Sequence, residues 1–403
     1  MLNLRFLALV SGVALLPILN AEASASSLPT LVSPSLHEHI RTMSGLPGRF
    51  AVLPARNFSP EVALSQSSAR TTVPLWSRQV SSGGTNYRYQ MVGRNPFVAQ
   101  AVQTTDVNTV VIPIRMVFSS FSNATFDPNQ KDRTCSPTGS ASSLVGASPL
   151  FNPVTGYVGG TSIGVGEYVD LFQRANYFTL TNPGGINPNY HVNLVYAHAV
   201  EQTVTVSGGN VVSGTCGNLG LLDYTTWNNY IQSVLFPALA TQSPNLVPPT
   251  KFAVFLLYNV VLFDGTESNC CILGYHSAFN DPAYGGAFHT YASVEFDTNR
   301  SFTGVSDTSA MSHEIAEWMD DPSGNNPTPS WGNIGQVNGC QANLEVGDPL
   351  SGTLEQIYMP ANGYTYHVQD LAFTSWFYRQ KASTGVNGWY SLFGNFLTPS
   401  APC

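Results

Sequence analysis

Ser312 to Pro322 reads SHEIAEWMDDP and sets His313, Glu314 and Glu317 in the spacing His-Glu-x-x-Glu. On a helix, residues four apart share a face, so His313 and Glu317 point one way with Glu314 beside them. An imidazole and a carboxylate on one face supply two ligands for a divalent cation, and the neighbouring carboxylate can take a proton from a water held there. In metalloproteases the spacing His-Glu-x-x-His binds zinc through its two histidines, and the glutamate is the general base. Catalytic zinc also accepts carboxylate oxygen, so Glu317 is an admissible second ligand. The exchange alters the charge. One histidine with two carboxylates neutralises Zn2+, which then acidifies its water and polarises a carbonyl less than a site left positive. An oxygen-rich set of this kind also suits Mn2+ or Ca2+. The same five residues fit an ordinary surface helix, so context has to decide.

Pro322 stops the helix just after the motif, with Asp320 and Asp321 in its last turn. Carboxylates at a helix C-terminus oppose the helix dipole at roughly a few tenths of a kcal/mol each, which a nearby cation would offset. About thirty residues on comes Asn343-Leu344-Glu345-Val346-Gly347-Asp348-Pro349. Glu345 is the expected third ligand, and Asp348 the partner accepting the free ring N–H of a ligand histidine. Asp320 and Asp321 are rival third ligands on the His313 face, whereas a solvated loop carboxylate and a turn before Pro349 are the plain alternatives. Peptide hydrolysis also needs a donor to the oxyanion. Tyr275-His276, His289 and Tyr366-His367 are available, and His276, beside Cys270-Cys271, is the first choice. His37-Glu38-His39 reads as solvated polar residues, and Asn123-Ala-Thr and Asn299-Arg-Ser as glycosylation sequons.

These residues need elements to hold them. Ser309 to Met319 is the helix of the motif. Thr109 to Phe118 and Phe252 to Val261 read as buried strands, and Tyr190 to Ala199, Gln202 to Ser207 and Ala292 to Phe296 as further strands. The Gly208-Gly209-Asn210 turn followed by Val211-Val212 suggests a hairpin. Gly166 to Phe178 is helical, with Tyr168, Leu171, Phe172 and Ala175 on one face, and so is Tyr224 to Leu239. After Asp321 the chain is loops and short β pieces ending in Gly388 to Phe396. The mixed order predicts an α+β fold, helices packed on a mostly antiparallel or mixed sheet, loop-rich and stapled by disulfides.

Residues 1–23 have the three-part pattern of a secretory signal, with the apolar run Phe6 to Leu19 ahead of small residues at A-x-A sites. That run is short for a membrane span, and no later stretch is apolar enough to be one. Residues 24–106, rich in Ser, Pro and Arg, read as an extended N-terminal region or propeptide, and residues 107–403 as the main domain. The 403 residues carry 10% charged side chains and a net charge of −8, too little positive charge for a nucleic-acid partner. The six cysteines of an exported chain suggest up to three disulfides, with Cys403 tying down the C-terminus, Cys270 and Cys271 expected to take different partners, and a vicinal bridge between those two as the alternative.

The order His313-Glu314-Ile315-Ala316-Glu317, Asp321-Pro322, Trp331, Glu345-Val346-Gly347-Asp348 resembles the H-E-x-x-E…D-P…W…E-[IV]-x-D pattern of the EXORDIUM/phosphate-induced-protein family and related exported bacterial proteins. That pattern is itself similar to the gluzincin branch of zincin metallopeptidases. The likeness covers roughly Phe252 to Phe396, with weaker similarity back to the strand near Val110. It implies a zincin-like domain in which His313, Glu317 and Glu345 bind the metal, Glu314 is the base and Asp348 supports a ligand. Gluzincins have histidine where Glu317 stands, and many EXORDIUM-type proteins are wall-associated signalling proteins. The expectation is therefore an exported metal-dependent peptidase acting on a protein or peptide. A non-catalytic wall- or matrix-associated protein on the same scaffold is the alternative, and an exported hydrolase of another substrate a third.

Overall fold

The β-branched residues valine, isoleucine and threonine make up most of Thr104–Phe118, which forms the longest strand of a twelve-stranded mixed sheet. The computed structural model describes residues 27–34, 45–131, 135, 139–242, 245–266, 269–382 and 388–403. The expected signal segment 1–23 and His37-Glu38-His39 lie outside the described residues. Along the sheet the strands run Leu31–Val32, Gln202–Ser207, Thr104–Phe118, Phe252–Tyr258, Ala287–Phe296, Cys270–Asp281, Val260–Phe263, Asn218–Asp223 and Asn210–Ser213. His191–His198 and Ala124–Phe126 also pair with Thr104–Phe118, and Arg49–Leu53 pairs with Cys270–Asp281. The strands from Leu31–Val32 to Ala287–Phe296 run parallel to their neighbours, while Cys270–Asp281 is antiparallel to Ala287–Phe296. The molecule is thus mixed α/β, sheet-rich and short of helices.

Two cores sandwich the sheet. On one face Val254, Ala292, Val294 and Phe296 meet Ile315, Trp318 and Met319 of the helix Ser309–Asp320. The Trp318 indole stacks on Phe252 with ring centroids 3.6 Å apart. On the other face Ile112, Ile114, Phe255 and Tyr291 pack against Trp227, Ile231 and Phe236. Those three come from a continuous helical stretch, Tyr224–Tyr230, Ile231–Leu235 and Phe236–Ala240.

Several boundaries differ from expectation. The apolar run Phe252 to Val261 is two strands, broken where Asn259 takes the left-handed conformation at φ 49°. Asn210–Ser213 pairs with Asn218–Asp223 rather than folding back on Gln202–Ser207, whose edges already pair with parallel neighbours. The N-terminal region is more ordered than its composition suggests: it holds the helix Pro60–Ser68, the hairpin Leu75–Ser82 with Thr85–Val92, and two strands of the main sheet, Leu31–Val32 and Arg49–Leu53. Three cysteine pairs stand at disulfide distance, Cys135–Cys216, Cys270–Cys271 and Cys340–Cys403. Cys270 and Cys271 pair with each other, against expectation, because the other four are already matched. Cys403 ties the C-terminus as expected. Among the described residues no helix is long and apolar enough to cross a membrane.

Candidate metal centre

The helix Ser309–Asp320 lies on strands Ala287–Phe296 and Cys270–Asp281 and is covered by the strand Tyr364–Gln369 and the helix Tyr168–Asn176. All twelve of its residues are buried. Its polar residues must therefore find partners inside the protein. At the N-terminal end Asp307 holds the chain, accepting from the Thr308 backbone N–H at 2.5 Å and from the His367 backbone N–H at 2.8 Å. The His367 ring lies 2.6 Å from Asp307, and the Tyr366 hydroxyl donates to the Leu144 carbonyl. His289 pairs with Asp281 at 2.8 Å and stacks on Phe279. His367 and His289 are thereby accounted for as structural groups.

At the C-terminal end Asp320 accepts from the amides of Gln173 and Asn176. Asp321 accepts from the backbone N–H groups of Asn325 and Asn326, at 3.0 and 2.8 Å. The cation expected to offset these two carboxylates is replaced by amide donors. Both aspartates are thereby withdrawn from the ligand set.

His313, Glu314, Glu317 and Glu345 are each between 0% and 2% exposed, and Asp348 joins them at 6%. His313 Nε2 stands 3.0 Å from Glu317 Oε1 and 3.6 Å from Asp348 Oδ1. These three ligand atoms lie within 4.8 Å of one another, the span a cation can bridge. Among the described residues neither ring nitrogen of His313 has a hydrogen bond of good geometry despite complete burial, although Nε2 is within reach of Glu317 and the Gln369 side chain lies close by. Such an orphaned imidazole fits a ligand better than a packing residue. Asp348 sits on the Nε2 side of His313, beside Glu317, and is steered by the amides of Gln336 and Gln341, the latter at 3.0 Å. It was expected on the opposite side of the ring. That other side, Nδ1, faces Gly347, where an added Cβ would lie 2.4 Å from the nitrogen. Glu345, the expected third ligand, lies beside Glu317 and accepts from the Asn343 amide at 3.0 Å, but Asp348 and not Glu345 completes the group with His313 and Glu317. The Glu317 carboxylate also takes the Gly347 and Asp348 backbone N–H groups, at 3.0 and 3.3 Å.

His276 comes from the strand Cys270–Asp281, two residues after Gly274 and therefore on the same face. Its Nδ1 is 3.2 Å from Glu314 Oε2 and 3.8 Å from Glu317 Oε2, while its Nε2 is 3.1 Å from the Asp321 carbonyl oxygen. The carbonyl can only accept, so Nε2 carries the hydrogen. That N–H, wanted for an oxyanion, is spent on the backbone, and His276 turns a bare nitrogen towards the carboxylates instead. Gly274 leaves room for Glu314, since a Cβ there would come 2.7 Å from its Cγ.

Burial sets the protonation. It pushes His276 down to about 3 and His313 down to about 4, so both rings are neutral at neutral pH, the form that binds metals. Burial first and the neighbouring carboxylates second hold Glu314, Glu317 and Glu345 well above the usual carboxylate range, and burial raises Asp348 to about 6. Among the described residues none of the four makes an ion pair with lysine or arginine.

Sequence reasoning did not find Phe50, Gln336, Gly347 or the tautomer of His276. Phe50, from the N-terminal strand Arg49–Leu53, stacks on the His313 ring at 3.8 Å between centroids. Gln336 grips the Phe50 backbone twice, accepting from its N–H at 2.7 Å and donating to its carbonyl at 2.9 Å. These contacts join segments up to 286 residues apart, and no local pattern encodes them. No family model matches the chain, and neither a curated protein nor a solved structure matches it.

Proposed function

We propose that the chain is an exported, metal-dependent peptidase of zincin-like type whose centre is His313, Glu317 and the carboxylates of Glu345 and Asp348. The observation that carries the metal reading is the wholly buried, hydrogen-bond-orphaned His313 facing Glu317 and Asp348. Zinc is the first cation expected, and the oxygen-rich set also suits Mn2+ or Ca2+. A divalent cation there supplies Lewis acidity and a more acidic water. The protein's own part is positional. Gly347 and the Gly347 and Asp348 backbone N–H groups fix the His313 ring and the Glu317 carboxylate. Glu314 Oε1 has no partner among the described residues and, once the cation lets this raised carboxyl ionise, takes the proton of a water attacking a peptide carbonyl, while Oε2 is held beside His276. Export is supported by the N-terminal apolar pattern and the three cysteine pairs.

One observation favours a second reading, a non-catalytic wall- or matrix-associated protein whose metal stabilises the fold. The centre is closed, with the Phe50 strand lying over His313. Metal analysis with casein digestion by wild type and Glu314→Gln separates the two. The peptidase reading predicts bound metal in both proteins and a loss of about 100-fold or more in the variant, in line with general-base catalysis. Equal rates would remove Glu314 as base, and bound metal without digestion would leave the stabilising role.

A further inference from the structure

We propose that the centre takes two divalent cations bridged by Glu317, the second seated between His276, Glu314 and Glu317. This rests on the metal-binding part of the function proposed above and goes beyond it. The ligand atoms form two groups, His313–Glu317–Asp348 and His276–Glu314–Glu317, each with its atoms within 4.8 Å of one another. Glu317 belongs to both and divides its oxygens between them. Oε1 faces His313 Nε2 at 3.0 Å, and Oε2 faces His276 Nδ1 at 3.8 Å. A carboxylate that turns one oxygen to each of two imidazoles has the arrangement of a bridging ligand, and paired catalytic ions stand about 3.5–4 Å apart.

The tautomer of His276 is an independent argument. Its Nε2–H donates to the Asp321 carbonyl, so Nδ1 carries a lone pair, aimed at Glu314 Oε2 and Glu317 Oε2. Backbone carbonyls hold metal-binding histidines in this way, fixing which nitrogen is bare. Three electron-rich atoms converge there, and only a proton or a cation can lie between them. Glu314 Oε1, fully buried, has no hydrogen bond of good geometry among the described residues.

Charge points the same way. Glu314, Glu317, Glu345 and Asp348 are four buried carboxylates with two imidazoles and, among the described residues, no lysine or arginine paired to them. One divalent cation balances two ionised carboxylates and leaves the other two either charged in a low-dielectric interior, which is costly, or holding protons. Two cations balance all four. Glu314 then serves the second ion through Oε2 and keeps Oε1 for proton transfer.

The test is equilibrium dialysis of the full chain against Zn2+ or Mn2+, with elemental analysis and electron paramagnetic resonance of the Mn2+ form. Wild type is expected to hold two equivalents and give the spectrum of a coupled pair, and His276→Ala to hold one equivalent with an isolated-ion spectrum. The wild-type spectrum decides even where the variant fails to fold. One equivalent in wild type, with an uncoupled spectrum, would overturn the second seat and place a shared proton between His276 and Glu314. No bound metal at all would overturn the metal reading itself. Two equivalents without casein digestion would support the pair and remove only the peptidase.

Discussion

Gly347 controls His313 by having no side chain. A Cβ at 2.4 Å from Nδ1 has nowhere to go, because the opposite face of the ring is stacked on Phe50. Gly347→Ala is expected to cost about 1–3 kcal/mol by overpacking and to weaken metal binding by at least tenfold, read by thermal unfolding and by dialysis. Unchanged affinity would show that His313 is not a ligand. The acids around the centre set a pH dependence. Burial pushes Asp320 and Asp321 up to about 7, from an ordinary 3.8, and Glu314, Glu317 and Glu345 well up. A carboxyl raised in the folded state keeps a proton that the unfolded chain has released. Its contribution is complete below the unfolded value and is lost as pH climbs through the folded one. The lowered histidines oppose this only below about 6.5, where the unfolded chain binds protons that the folded one does not. Metal-free protein in chelator is therefore expected to melt at lower temperature at about pH 8 than at about pH 6.5. A midpoint that rises over this interval would contradict the buried, uncompensated carboxyls.

The elements that position the site were unequally legible. The helix Ser309–Asp320 could be read from its spacing and from Pro322, and its ligand pair follows from the i, i+4 geometry of any helix. The runs around Thr104–Phe118 and Ala287–Phe296 were visible because buried strands are rich in branched and aromatic residues. The strand Cys270–Asp281 was not, since Gly274, His276, Ser277 and Asn280 break any apolar pattern. They are there for the helix opposite, for the neighbouring strand and for the surface. Arg49–Leu53 was hidden in a segment of coil-like composition, and its place follows from parallel pairing with residues more than two hundred positions away. That strand closes the centre. Phe50→Ala should cost about 3–5 kcal/mol, the usual loss for a buried phenylalanine. It should also let diethylpyrocarbonate reach His313 while His289, on the other face of the sheet, stays protected. Peptide mapping of the two histidines reads this directly, and a His313 modified equally fast in both proteins would show that the strand is no cover.

Over the whole molecule, the chain gathers four carboxylates and two histidines from three segments and buries them against the strand Cys270–Asp281, inside the main sheet. The site helix and the His276 strand are packed by the large cores, whereas Glu345 and Asp348 follow the hairpin Pro327–Ile334 with Val337–Asn343. Cys340 in that hairpin is joined to Cys403 across 63 positions. A loop of this length gains about 4 kcal/mol on closure by the chain-entropy account, and removing a native disulfide costs about 2–5 kcal/mol. Cys403→Ser is expected to lower the unfolding free energy by that order and to loosen metal binding through Glu345 and Asp348, both seen in denaturant titrations with and without Zn2+. Equal losses with and without metal would uncouple the C-terminus from the centre. The central claim is that His313 and Glu317 hold a divalent cation. Anomalous diffraction at the zinc edge, from crystals of the full chain grown with Zn2+, tests it most directly. The prediction is a peak between His313 Nε2, Glu317 Oε1 and Asp348 Oδ1; a map with no peak there would contradict the account.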